Sequence, residues 1–212
     1  VRPGVGRGIV VPMHTATPGG TQTGSRRTRP PETKISGKRV YEGRVLNLEV
    51  DRVRLAGGRQ AVREVVRHPG AAVVVPVLDD GRILLVRQFR YAAGETLLEL
   101  PAGKRDSNEE PAACAMRELA EETGFAAASL TYLAGFFTAP GFTDEFIHCF
   151  VASGLQRAAE AVVKDADEEL EVLAVTLEEA HRLIAGGAIR DAKTLVGLLL
   201  YGARRGQETA GD

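Results

Sequence analysis

This chain has no apolar run that approaches transmembrane length, so a membrane-spanning helix is not expected. Cysteine is scarce: Cys114 and Cys149 stand alone and fit no metal-binding spacing. Two buried, reduced thiols in a cytoplasmic protein are the expectation. No internal repeat is visible, which argues against a solenoid. The first residues lack the apolar core and small-residue cleavage site of a secretory signal. They also lack aromatic residues among their arginines, so the stacking groups of a nucleic-acid-binding arm are missing.

What is present suffices for a folded domain. The 212 residues and 44% hydrophobic content allow one domain with a small appendage. The net charge of −1 conceals an asymmetry. Residues 1–39 hold eight Lys/Arg against one acid, a balance of +7, and the other 19 basic and 27 acidic residues leave −8. An acidic body of this kind does not suggest nucleic-acid binding. The first thirty or so residues are rich in Gly, Pro, Thr and Arg, and 1–37 reads as a disordered basic tail.

Order is expected from Lys38. Val40 to Val53 alternates partially, Gly57-Gly58 marks a turn, and Gln60 to Val66 reads as a returning strand. Residues 38–69 thus form an N-terminal antiparallel β extension, and 70–206 the main domain. There, Ala72 to Leu78 has a buried-strand composition, Asp79-Asp80-Gly81 is a turn, and Arg82 to Phe89 is the partner strand. Further strands are expected at Leu130–Phe137, Phe146–Ser153 and Val172–Val175, and helices at Leu177–Ala185 and Asp191–Arg205. Strands and helices interleave without a regular βαβ repeat, which points to a mixed-sheet α/β (α+β) fold.

The densest information lies between Gly103 and Phe125, GKRDSNEEPAACAMRELAEETGF. Gly103 to Asn108 reads as a loop and Pro111 to Thr123 as a helix. Ser107 and Asn108 are good N-cap types, Ser107 with Glu110 has capping-box spacing, and Pro111 suits a first turn. Gly124 supplies the C-terminal stop. At 100° per residue, Leu119, Ala120 and Thr123 fall within about 60° of Met116, with Ala112 and Ala113 beside them. Glu118, Glu121 and Glu122 gather on the opposite side. Like charges at this spacing cost a helix roughly 0.2–0.5 kcal/mol per pair, so the three are either solvated or given a cation. Carboxylate oxygens are the ligands that hard Mg2+ or Mn2+ ions select. Arg117 could orient one of these glutamates or pair with Glu109.

Written as G-x5-E-x7-R-E-L-x-E-E-x-G-F, the segment matches the Nudix hydrolase signature at every fixed position, and the chain resembles that family. Thr138-Ala-Pro140-Gly-Phe-Thr-Asp-Glu145 follows, with Pro140 sixteen positions after Gly124. It resembles the proline-bearing loop of ADP-ribose pyrophosphatases. Arg63 to Gly70, Arg87 to Tyr91 and Leu98 to Gly103 also resemble that branch.

The resemblance implies the Nudix fold, a mixed β-sheet sandwiched between helices. It further implies Mg2+-dependent hydrolysis of ADP-ribose to AMP and ribose 5-phosphate, with Mn2+ able to substitute. Another nucleoside-diphosphate sugar such as GDP-mannose, or a dinucleotide, is the alternative substrate, and a non-catalytic Nudix-like binding module the alternative class. By position, Glu118, Glu121, Glu122 and the Ala102 carbonyl would hold metal, with Arg117 orienting. The general base would come from a late loop, Lys164 to Glu171. Glu168 is favoured, then Glu169 and Asp167, with Glu145 as the alternative; Ala166 replaces an acid usual in the family. Arg63, Glu64, Arg87, Glu99 and Pro140 are candidate substrate contacts. His68 and His148 are expected to be structural. A homodimer with shared sites is implied, the segment around Val40 to Val66 crossing to the partner.

Overall fold

The computed structural model describes residues 30–158 and 170–210, the side chains of 208–210 excepted. The chain divides into two compact units, Val1–Val66 and Arg67–Asp212.

The first unit is a three-stranded sheet in the order β1 (Glu32–Glu42), β2 (Asn47–Leu55), β3 (Gln60–Arg67). Strand β1 starts six residues before Lys38, so Glu32–Gly37, expected within the disordered tail, is instead paired backbone. Its polar composition misled because almost the whole strand is solvent-exposed. The pairing is held by antiparallel hydrogen bonds from Glu32↔Leu55 to Glu42↔Asn47, and by Lys34 on Asp51 at 2.7 Å. The expected run from Val40 to Val53 is broken by a turn in which Gly43 N–H donates to Leu46 O.

The second unit is built on a four-stranded mixed sheet, ordered β7 (Ala102–Lys104), β4 (Ala71–Pro76), β9 (Phe146–Arg157), β8 (Phe125–Phe137). A smaller sheet has the order β10 (Glu171–Val175), β5 (Ile83–Arg90), β6 (Glu95–Glu99). Strands β4 and β9 run parallel, from Ala71↔Ile147 to Pro76↔Ala152, and the other pairs in these two sheets are antiparallel. Every residue of β4 is buried. Ala72 and Val74 pack with Cys114, Ala115 and Leu119 of α1 (Pro111–Thr123). Val73 and Val75 pack with Ala180 of α2 (Leu177–Ala185) and Leu198 and Tyr201 of α3 (Ala192–Ala210). One strand therefore walls two cores, which is why its sequence is continuously apolar rather than alternating. The expected mixed sheet between helices is the observed one.

Two local expectations change. Gly103 and Lys104, read as loop, belong to β7, an edge strand pairing Ala72↔Gly103 and Ala71↔Lys104. Three residues are too few to carry a period-two pattern. Strand β8 begins at Phe125, directly after the helix, and went unforeseen because Ala126 and Ala127 pair with β9 without any apolar periodicity to announce it.

Candidate active site

Helix α1 stops as its sequence suggested but is capped differently at its start. Its N-cap is Glu110, in extended conformation with no side-chain cap, and Pro111 opens the first turn. Asn108 has φ 63, a left-handed geometry incompatible with capping, and the Ser107–Glu110 box does not form. The Glu109 carboxylate closes the loop instead, accepting the Asp106 N–H at 2.9 Å. At the other end Gly124 adopts φ 72 and donates to Ala120 O, as expected.

The helix is rolled relative to the expected amphipathic split. Its buried residues are Cys114, Ala115, Leu119, Glu122 and Thr123, whereas Ala113 is exposed. One carboxylate has thus gone inside. Strand β7 crosses that side, and the buried Glu122 Oε2 accepts the Ala102 N–H at 3.1 Å. Gly103 follows because nothing larger fits: a Cβ there would lie 2.0 Å from Glu118 Oε1.

Arg117 organises the rest. Its Nε and Nη2 grip both oxygens of Glu109 at 2.9 and 3.0 Å, and Nη1 reaches Glu118 Oε1 at 2.6 Å and Glu121 Oε2 at 2.9 Å. Nη2 also donates to Lys104 O at 3.2 Å. The two roles foreseen for Arg117 are one geometry, since a planar guanidinium has five donors in a fixed fork. The bond to Arg117 holds the Glu109 carboxyl far below its ordinary range, at about 2. Glu109 in turn raises the Arg117 pKa further. Burial, with Glu109 and Glu118 nearby, pushes the Cys114 thiol up to about 12, so no thiolate chemistry is expected there.

Among the described residues, no three acidic, histidine or cysteine side chains stand in a metal-holding arrangement, and Glu118 and Glu121 close on Arg117. The donor set nevertheless suits a divalent ion. Glu118, Glu121 and Glu122 are hard oxygen donors brought to one place, and the glycine cradle at 103 seats Glu118 against the main chain that follows Ala102.

The other candidates divide. Glu145 lies on the Thr138–Glu145 loop with its Oε2 hydrogen-bonded. Thr138 Oγ1 donates to Oε2 at 2.7 Å, and His68 Nδ1 lies 3.5 Å from Oε1. His68 Nδ1 also accepts the Gly70 N–H at 3.1 Å. The neighbouring Asp144 ties this loop to Arg67 at 3.0 Å and to the His68 N–H at 2.9 Å. Pro140 is exposed at its tip. Arg87 is exposed and paired with Glu171 at 2.8 Å. Arg63, in the first unit, is paired with Glu32 at 2.6 Å, and Glu64 beside it is exposed. His148 has its pKa lowered by burial and by Arg105, and packs edge-on against Phe146.

Glu99 does not sit as a substrate acceptor. It is 1% exposed, with Arg90 on both oxygens at 2.8 and 2.7 Å and Lys193 on Oε2. Burial alone would raise its pKa, but Arg90 and Lys193 together bring it below the usual carboxylate range. Sequence reasoning missed Lys193 and Thr194, because partners more than ninety positions apart leave no local pattern; it also missed Arg90, nine positions before Glu99, as the partner of that carboxylate. Glu168, Glu169 and Asp167 lie outside the described residues.

The site is thus an acidic helix face bonded through one arginine to a glycine-bearing strand end, on a mixed sheet between helices. The chain belongs to the Nudix family: the NUDIX domain model matches residues 66–196. It is 44% identical over 163 residues to an ADP-ribose pyrophosphatase of Bacillus subtilis (strain 168), covering 77% of this chain and 88% of that protein. It is 40% identical over 165 residues to a methanol dehydrogenase activator of Bacillus methanolicus, covering 78% and 89%. A crystal structure of an ADP compounds hydrolase superposes with a TM-score of 0.74 over 86% of this chain and 98% of that one. At 23% identity it speaks to the fold alone.

Proposed function

We propose that this chain hydrolyses the pyrophosphate bond of ADP-ribose to AMP and ribose 5-phosphate, with Mg2+ as its ion and Mn2+ able to replace it. The observation that carries the reaction type is the acidic face of α1, where Arg117 holds Glu118 and Glu121 and the Ala102 N–H holds Glu122, with Glu118 set against Gly103. The substrate reading is supported by the likeness to an ADP-ribose pyrophosphatase and by the Thr138–Glu145 loop.

Glu118, Glu121, Glu122 and the Ala102 carbonyl would hold the ion, which supplies a more acidic water and charge screening for the pyrophosphate. Water attacks the adenosyl-side phosphorus in line, and the bridging P–O bond breaks as ribose 5-phosphate leaves. Arg117 keeps Glu118 and Glu121 oriented. A late-loop acid takes the water's proton, Glu168 ahead of Glu169 and Asp167. Glu145 ranks behind them because the Thr138 hydroxyl already donates to it. Arg87 remains a substrate contact, since exposed ion pairs such as Arg87–Glu171 are worth only about 0–1 kcal/mol and exchange readily for phosphate. The same holds for Arg63 with Glu32.

The protein acts as a homodimer, in keeping with the exposed Ile35, Val40, Tyr41, Val45 and Val62 of the first unit. It works in the cytoplasm, in keeping with two buried free thiols.

A Mg2+ turnover panel over ADP-ribose, GDP-mannose, diadenosine polyphosphates and oxidised nucleotides, resolved by product, tests the reading. Hydrolysis of none would sink it, and preference for GDP-mannose would remove the substrate assignment alone. In 18O-water the label is expected in AMP; label in ribose 5-phosphate would place the attack on the other phosphorus.

A further inference from the structure

Behind the carboxylate face, a buried polar chain connects α3 to the main chain that enters β7. It begins at Glu99, held by Arg90 and Lys193. Lys193 Nζ also pairs with Asp191 Oδ2 at 3.0 Å. That oxygen accepts two bonds from Thr194, the N–H at 3.0 Å and the hydroxyl at 2.6 Å. The Thr194 oxygen, fully buried, then accepts the Leu100 N–H at 2.8 Å. A hydroxyl can donate and accept at once, and this one is used in both senses.

Leu100 stands two residues before Ala102, whose N–H binds Glu122 Oε2, and the intervening Pro101 O accepts from Val74 N–H at 2.9 Å. Three consecutive residues are therefore gripped in turn by α3, by β4 and by α1. The approach of α3 is close. Gly197, one turn beyond Thr194, would place a Cβ 2.7 Å from Leu100 Cδ1.

We propose that Thr194 is a positioning residue for the metal-binding carboxylates. Its hydroxyl, aimed by Asp191, sets the Leu100–Gly103 main chain, and through the Ala102 N–H it sets Glu122. The inference rests on the metal-dependent reading above. It adds a residue on the opposite side of the sheet from α1, 69 positions beyond the end of the signature.

The test compares full-length wild type, Thr194→Val and Thr194→Ser by Mn2+ titration, reading free Mn2+ by electron paramagnetic resonance. Turnover, melting temperature and amide exchange at Leu100 and Ala102 are followed alongside. Thr194→Val is expected to bind Mn2+ about tenfold or more weakly, the usual scale for losing an outer-shell support. Amides at Leu100 and Ala102 should exchange faster while those of β8 and β9 do not change. Thr194→Ser, which keeps the oxygen, should restore the affinity. Wild-type Mn2+ affinity in folded Thr194→Val would overturn the proposal, as would a serine variant as weak as the valine one. Should the valine variant fail to fold, Gly197→Ala displaces α3 from Leu100 with the hydroxyl retained, and the same weakening is expected; unchanged affinity there also overturns it. A wild type that binds Mn2+ but cleaves no pyrophosphate removes the function while the titration still decides the role of Thr194. A wild type that binds no Mn2+ overturns both.

Discussion

At the residue scale, Glu122 and Glu109 are both carboxylates of one signature with opposite duties. Glu122 is buried and accepts the Ala102 N–H, a bond that glutamine can still accept. Glu122→Gln is therefore expected to retain its melting temperature and lose turnover by about 100-fold or more; near-normal turnover would refute its ligand role. Glu109 is structural, bound to Arg117 and to the loop N–H of Asp106. Its pKa, about 2 against an ordinary 4.5, makes its contribution complete above pH 4.5 and lost as the pH falls toward 2. In urea titrations, wild type should lose more stability across that window than Glu109→Gln does; identical acid limbs would refute the assignment. The sequence pattern brought both residues into view but could not separate their duties. Spacing says which side chains share a face, not which of them a neighbouring strand will cover.

At the element scale, α1 ran from Pro111 to Thr123 as read, because proline and glycine act through backbone geometry alone and need no tertiary partner. Its cap and its roll were not legible, since both depend on what β7 and the 105–110 loop do around it. Gly124→Ala must hold φ near 72 with a Cβ, which costs roughly 1–2 kcal/mol. A lower melting temperature with turnover per folded molecule unchanged is expected. Gly103→Ala should behave in the reverse way, because its Cβ would lie 2.0 Å from the Glu118 carboxylate, whereas one at 124 would meet only Arg157 Nη1 at 3.7 Å. Turnover should collapse with a smaller loss of stability, and equal effects of the two variants would contradict the geometry of the cradle.

At the scale of the whole molecule, the two-sided burial of β4 was legible, since a continuous apolar strand demands cover on both faces, whereas the strand order was not, because pairing between distant strands leaves no local pattern. Nor was strand β1 from Glu32, because a solvated strand spells the same composition as a tail. Sedimentation should give twice 22.6 kDa if the homodimer is right, and charged substitutions at Val40 and Tyr41 should halve that mass. A wild type that sediments as a monomer would remove the dimer from the reading. Among the described residues, no helix is long and apolar enough to cross a membrane.

Arg117 has one more consequence. By binding Glu109, Glu118 and Glu121 together, it gives the acidic cluster a resident counter-ion from the moment the chain folds. Folding and ion loading are then separate events, and the empty protein has no reason to come apart. A chelator should abolish turnover while leaving the melting temperature where it was, and adding the ion back should restore activity without refolding.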